Sequence, residues 1–442
     1  MKILVVSFRF PPYNSVGAVS VGKTVKYLAA LGHDVRVLCA RDQQLPATVP
    51  LEVDARWVVS TGWLNPMRIA QPAAGGRARV EATGFSAGRK HDRAVHRLGR
   101  VYRSVMVPDP QIGWAWPAFR AGREIVKRWR PDVIFASAPP FTSLIVGGAL
   151  AFRTGIPWVA GLRDLWSDNP YRQVRLARLD RLLESRVLGS ASGIVVTTRE
   201  DLIRARFRVP TRTVMNGYDP DDARARERTP GSPSEQFRIV HTGTLWLDRR
   251  DPTPLFEAMR SLRTEKRTVV ADFYGRDSLF VTKKADLMGL ADQVRAHGQV
   301  SHEDSLQAQR DADVLLLIQP DNADERLICP AKMFEYAAAR RPVLLIGPSD
   351  GVVARLVDEF GLGIVARHAD DVGAALGRWH EQKASRGGLP DVAERPPEDW
   401  SRPIQVQKLS DFLERVVLDP WSAGSAISQA DDSSTDQVAW LP

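Results

Sequence analysis

Short apolar runs of strand length alternate with helix-length amphipathic segments along most of this chain, and that alternation restricts the fold more than any other feature. KILVVSF leads into GAVSVGKTVKYLAALG, where Val21, Val25, Leu28 and Leu31 recur at helical spacing, and HDVRVLCA returns to a strand pattern. DVIFASA, SLIVGGALAF, WVAGL, ARLDRLLESRVL and GIVVTT continue the series. Strands alternating with crossover helices form parallel sheets covered on both faces. A second series runs FRIVHTG, PTPLFEAMRSL, VVADFYG, VRAHGQV, DSLQAQRDA, DVLLLIQP, AKMFEYAAA, PVLLIG. Between the two lies DPDDARARERTPGSPSEQ, which is polar, contains proline and lacks apolar periodicity, as a linker should. The expected fold class is α/β, with doubly wound domains at 1–217 and 237–398 and a linker at 218–236. The amphipathic IQVQKLSDFLERVV falls in a C-terminal helix at 399–418, expected to pack back toward the first domain. The small, polar residues 419–442 are expected to be disordered.

Composition narrows the class further. At 442 residues the chain exceeds one hydrophobic core, and 44% hydrophobic with 26% charged residues excludes disordered, collagen-like and membrane-embedded proteins. The two cysteines, Cys39 and Cys329, exclude a disulfide framework and fit a reducing, cytoplasmic setting. Apolar runs such as Val314 to Ile318 fall far short of the roughly 20 residues a bilayer crossing needs. Charge is unevenly placed: up to Met215 there are 33 Lys and Arg against 15 Asp and Glu, and beyond it 28 against 37. Part of the excess lies in a glycine-bearing insertion at about 70–103, which includes Arg89, Lys90, Arg93 and Arg97. So basic a half points to an anionic partner, whether nucleic acid, membrane surface or phosphorylated substrate, or else to a solvated arginine-rich face.

Gly17 to Thr24, GAVSVGKT, satisfies the phosphate-loop pattern of triphosphate hydrolases. The context does not fit, because RFPPYNSV separates the strand end near Phe8 from Gly17 and Lys23 and Thr24 fall inside the helical pattern. A helical Lys23 about one turn after the helix start is therefore expected, not a cradle around a phosphate.

The ordered set FPPYNSVGAVS, LGHDVRVL, PDPQIGW, DVIFASAPPFTS, GLRDLWSDNPY, VMNGYDPDD, HTGTLW, YGRDS, HGQVSHED and PAKMFEYAAARRPVL resembles the glycosyltransferases of family 4, in the branch of WbuB-type polysaccharide transferases. The resemblance extends to about Val417 and implies the GT-B fold, two doubly wound Rossmann-like domains facing a central cleft. It implies transfer of a sugar from a nucleotide-sugar donor, with retention of configuration, to a lipid-linked or small-molecule acceptor. No cofactor, metal or nucleic acid is expected.

For such a reaction the charge left on the departing diphosphate must be stabilised. Gly17, at the start of a helix, allows a close backbone approach to phosphate. Pro330 opens a second helix, whose Lys332 joins Arg249 or its neighbour Arg250 as a fixed positive charge. The family carries Gly-Arg-Leu where this chain has Gly243, Thr244 and Leu245, so one arginine is replaced. Gly275 and Val300, in YGRDS and HGQVSHED, complete the implied donor set. Glu335 matches the second glutamate of the family's E-x7-E pattern and would hold the ribose hydroxyls; the first falls on Leu327, with Glu325 nearby but out of register. Arg163 and Asp164 follow a strand end, where ligands of open α/β sheets bind. Asp164 either handles the acceptor proton, orients the donor sugar, or forms a structural pair with Arg163. Arg89, Lys90, Arg93 and Arg97 are assigned to an acceptor or anionic membrane surface. A nucleotide-sugar epimerase of the same fold and a basic nucleic-acid binder are the competing readings; the second lacks a recognition helix or aromatic stacking platform.

Overall fold

A computed structural model of the chain describes residues 1–43, 45–64, 102, 104–169, 171–172, 174–224, 236–245, 249–265, 267–322, 325–392 and 396–418. The described residues form two compact units, one built from those up to Asn216 together with Arg402–Leu418, the other from those between Gly217 and Ser401.

The first unit is a seven-stranded sheet of β1 (Lys2–Val6), β2 (Asp34–Ala40), β3 (Val58–Thr61), β4 (Val133–Ala138), β5 (Trp158–Leu162), β6 (Gly193–Val196) and β7 (Thr211–Thr213). The spatial order is β3-β2-β1-β4-β5-β6-β7 and every pairing is parallel. Its helices are α1 (Val16–Ala30), α2 (Ala115–Trp129), α3 (Thr142–Thr154), α4 (Ala177–Gly189) and α5 (Glu200–Arg206). The strand order reverses between β1 and β4, so the loops leaving their C-terminal ends diverge and leave room for a ligand.

Ser15 caps α1, its Oγ accepting from the Ala18 amide, so the helix starts at Val16, about a turn earlier than the apolar spacing alone predicts. All of Gly17 to Thr24 is helical. Lys23 is buried with its Nζ 2.7 Å from Glu52 Oε2, and Thr24 Oγ1 donates to the Ser20 carbonyl. No phosphate loop is formed here, because a lysine already paired inside a helix cannot wrap a nucleotide.

The second unit begins with a short helix, α6 (Pro220–Arg224), so part of the segment expected as linker is ordered; residues 225–235 of it lie outside the described residues. Strands β8 (Phe237–Thr242), β9 (Val269–Tyr274), β10 (Val294–Gly298), β11 (Val314–Ile318), β12 (Val343–Ile346) and β13 (Gly363–Ala366) form a parallel sheet in the order β10-β9-β8-β11-β12-β13. It is accompanied by α7 (Thr253–Thr264), α8 (Ser278–Leu287), α9 (His302–Asp311), α10 (Lys332–Ala339), α11 (Val352–Glu359) and α12 (Ala369–Arg386). Here the order reverses between β8 and β11.

The last helix, α13 (Arg402–Leu418), belongs to the first unit. Val406, Leu409, Phe412, Leu413 and Val416 are buried with Ile3, Val5, Val21, Val25, Leu28 and Val195 in one core. A Cβ added at Gly193 would lie 2.8 Å from the Phe412 ring, so β6 needs glycine there for the helix to lie so close. Gln405 Oε1 accepts from the Met215 amide at 2.8 Å, fixing the end of the helix nearest Arg402. Among the described residues no helix is long and apolar enough to cross a membrane. Because Phe412 is buried deep in this core, Phe412→Ala is expected to destabilise the first unit by about 3–5 kcal/mol. Urea denaturation followed by a probe in that unit measures the shift.

Candidate functional site

In the second unit Gly243, Gly275, Lys332 and Glu335 lie together at the C-terminal ends of β8 and β9 and the start of α10. Thr242 ends β8, and Gly243 turns the chain at φ +106°, a conformation glycine adopts without steric cost. The Gly243 amide donates to the Tyr274 carbonyl at the end of β9. A Cβ at Gly275 would lie 2.3 Å from the Gly243 carbonyl oxygen, and one at Gly243 would lie 3.1 Å from Lys332 Nζ. The two glycines thus bring two strand ends and a lysine within contact of one another. Val300 follows β10 at the same end of the sheet.

Lys332 is the first residue of α10, whose N-terminus has no side-chain cap. Its Nζ lies 3.4 Å from His241 Nε2, while His241 Nδ1 lies 3.0 Å from the Leu316 carbonyl. These contacts select the neutral imidazole that donates from Nδ1 to Leu316 and accepts at Nε2. Burial, then the Lys332 charge, holds His241 well below the ordinary histidine range. Lys332 is itself pushed down to about 7 by burial and by Arg250, with Glu335 opposing. A lysine in this state gains when an anion arrives to favour its charged form.

Arg250, the neighbour of Arg249, is placed on this cluster. Its Nη1 reaches the Thr244 carbonyl at 3.4 Å and its Nη2 lies 3.6 Å from Glu325 Oε2. Burial lowers the Arg250 pKa and the Arg249 charge lowers it further. Glu325, out of register in sequence, is carried here by the single 3-10 turn Glu325–Leu327, and burial pushes its carboxyl up to about 7. Leu327, at the register position, is partly exposed. Glu335 stands in the first turn of α10 with its Oε2 accepting from Gln309 Nε2 at 3.3 Å. The same Gln309 nitrogen reaches Thr242 Oγ1, and the Tyr336 hydroxyl accepts from the Thr242 amide. Gln309 and Tyr336 were not legible as site residues, since their roles depend on which helix lies beside the end of β8.

In the first unit, Arg163 is built into three strand ends. Its amide donates to the Ala138 carbonyl, Nη1 to Ser137 Oγ at 2.6 Å and Nη2 to the Pro139 carbonyl at 2.6 Å, while Thr197 Oγ1 donates to the Arg163 carbonyl. A Cβ at Gly17 would lie 2.8 Å from Arg163 Nη2 and 3.4 Å from Arg9 Cδ, so a side chain at 17 would displace the guanidinium. Burial pushes Arg163 down to about 10; Asp164 opposes the shift, and Arg9 and Arg402 add to it. The site therefore gathers Arg9, from the loop after β1, and Arg402, which opens α13. Neither was found in sequence, since Arg402 lies far along the chain and only the docking of α13 brings it in. Asp164 is not ion-paired with Arg163. Its side chain keeps an exposed face, although loss of hydration still raises its pKa, with Arg163 opposing. Arg89, Lys90, Arg93 and Arg97 lie outside the described residues.

Each unit thus ends in a cluster of positive charge beside glycine-permitted backbone at the point where strand order reverses. Such an arrangement can hold phosphate groups and favour charge that develops on them.

Residues 17–219 match the family model described as a glycosyl transferase 4-like domain. Comparison of the sequence with curated proteins gives no match. Among solved structures, a sucrose-phosphate synthase from Thermosynechococcus elongatus shares 15% identity, covering 98% of this chain and 100% of that one, with a TM-score of 0.54. A glycosyltransferase from Rickettsia africae shares 12% identity over 95% of this chain and 98% of its own, with a TM-score of 0.55. A UDP-GlcNAc 2-epimerase from Methanocaldococcus jannaschii shares 11% over 94% and 99%, with a TM-score of 0.52. These likenesses are of fold. The family match gives residues 17–219 the character of a glycosyl transferase 4-like domain, and the neighbours show that the chain as a whole shares the fold of GT-B glycosyltransferases.

Lys332→Met removes the buried charge and keeps the volume. Because the folded-state pKa of about 7 lies below the ordinary lysine value of about 10.4, the folded protein binds fewer protons than the unfolded chain between those values. Wild-type stability therefore gains from this group as pH rises from 7 toward 10. Lys332→Met is expected to melt higher than wild type at pH 7 and to lose that advantage toward pH 10, as differential scanning calorimetry across the range will measure.

Proposed function

We propose that this protein transfers a sugar from a nucleotide-sugar donor, with retention of anomeric configuration, to a lipid-linked or small-molecule acceptor. Within the family 4-like enzymes we place it near the WbuB-type branch of polysaccharide biosynthesis, on the order and spacing of MNGYDPDD, HTGTLW and KMFEY. The observation that carries the donor reading is the lysine held near neutrality between His241 and Arg250, at a helix start and one atom's reach from Gly243. A diphosphate would supply the negative charge that this cluster favours.

In this reading Lys332 and Arg250 neutralise the diphosphate, with Arg249 adding to the local field, and Glu335 accepts hydrogen bonds from the ribose hydroxyls. Thr244 leaves the turn without the arginine of the family pattern, so Arg250 takes a larger share. The acceptor oxygen forms a bond to the anomeric carbon as the carbon–oxygen bond to the diphosphate breaks. The electron pair leaves with the diphosphate oxygen, which takes up the acceptor's proton. Asp164 and Gly17 are the first unit's own candidates for a sugar hydroxyl and for phosphate. No step requires a metal or a resident cofactor. The surplus of arginine and lysine in the N-terminal half is assigned to an anionic membrane that carries the acceptor, with Arg89, Lys90, Arg93 and Arg97 contributing.

A panel of nucleotide sugars and acceptors, read by mass spectrometry, tests the reaction. One donor should yield a product heavier than its acceptor by a sugar residue, together with free nucleoside diphosphate. Conversion of a nucleotide sugar into its epimer without any acceptor would instead establish the epimerase reading. Glu335→Ala should weaken nucleoside diphosphate binding by about 1.5–3 kcal/mol, the range of a charge-assisted hydrogen bond. Unchanged affinity in a calorimetric titration would remove Glu335 from the site.

A further inference from the structure

Helix α4 carries its charge the wrong way round for an ordinary surface helix. Its only acids, Asp180 and Glu184, face inward and are buried. Asp180 accepts from Trp166 Nε1 at 3.0 Å and from Arg172 Nη1 at 2.9 Å. Glu184 accepts from Ser167 Oγ and from Arg206 Nη2, each at 2.6 Å. These bonds hold the loop that follows Asp164, and they leave the helix with no carboxylate on its outer face.

That outer face holds leucine and arginine instead. Leu176, Leu179 and Leu182 are 47%, 52% and 50% exposed, and Arg175, Arg178, Arg181 and Arg186 are exposed beside them. Arg178, Leu179, Leu182 and Arg186 are spaced so that they share one stripe of the helix. Arg181 Nη2 lies 4.0 Å from Asp168, which is bonded to Arg206. Among the described residues no carboxylate is within ion-pair distance of Arg175, Arg178 or Arg186. Single exposed leucines are ordinary on any protein. Three together, framed by cations of one sign, form a surface with two separate demands.

We infer that this face of α4 is a docking surface for an anionic lipid bilayer, with Leu179 and Leu182 entering the headgroup boundary and Arg178 and Arg186 pairing with lipid phosphates. A polyanion without acyl chains, such as a nucleic acid, would satisfy the arginines but give the leucines nothing. A second copy of the chain would cover the leucines but set like charges against each other. An anionic bilayer meets both demands at once. This deepens the membrane part of the proposed function and rests on that reading only for its purpose, which is to bring the enzyme to a lipid-borne acceptor; its residues are separate from the donor cluster.

Co-sedimentation with unilamellar vesicles tests it, using phosphatidylcholine alone and phosphatidylcholine with about one-third phosphatidylglycerol. The full chain should bind only the anionic vesicles, and less as salt rises. Leu179→Ser with Leu182→Ser, which leaves the net charge unchanged, should lower the partition coefficient about tenfold or more. Arg178→Gln with Arg186→Gln should weaken binding comparably and flatten its salt dependence. Both variants should keep wild-type melting behaviour and nucleotide affinity, which separates failure of this inference from failure of the transferase reading. The inference is overturned if wild type ignores anionic vesicles at low salt. It is equally overturned if the leucine variant binds like wild type while neutralising Arg89, Lys90, Arg93 and Arg97 abolishes binding, or if the leucine change alters only the oligomeric state in light scattering.

Discussion

The ammonium of Lys332, held 3.4 Å from a neutral imidazole and repelled by a neighbouring guanidinium, is the interaction on which the proposed donor-side chemistry depends. A protein that stored cations only for stability would pair them with carboxylates. Here Glu325, the carboxylate nearest to Arg250, is itself raised to about 7 by burial, so near neutral pH its charge only partly offsets the arginine. Like charges gathered in this way carry an electrostatic cost that an anion would relieve. That asymmetry is what differential stabilisation of a departing diphosphate requires.

Everything that holds this cluster follows from the parallel sheet. Because all strands point the same way, their C-terminal ends lie along one edge, and the reversal of order between β8 and β11 opens a gap there. Gly243 and Gly275 let the loops from β8 and β9 close on one another to a distance that any side chain would forbid. The first unit repeats the design with Gly17 against Arg163, whose guanidinium is fixed by Ser137 and the Pro139 carbonyl.

Legibility in the sequence divided along the same physical line. Period and alternation depend on local neighbours, and so the strands, the crossover helices and the helical state of Lys23 could be read directly. The start of α1 was a turn early because the Ser15 cap outweighed the apolar spacing. Side-chain convergence depends on tertiary placement and was less legible: only the fold brings Arg250 to Glu325. Gln309, Tyr336, Arg9 and Arg402 carried no motif at all. The α4 segment looked like a common amphipathic helix, because nothing local says that Asp180 and Glu184 find Arg172, Arg206, Trp166 and Ser167 inside.

That Lys332 titrates near pH 7 in the free protein and becomes fully charged against the proposed donor's diphosphate is most directly tested by proton uptake on binding. Titration calorimetry at pH 8 with the nucleotide sugar selected by the transfer panel, repeated in buffers of different ionisation enthalpy, counts protons exchanged. With a free-state value of about 7, uptake should approach one proton per donor bound, and vanish in Lys332→Arg. Donor binding without proton uptake by the wild type would contradict it.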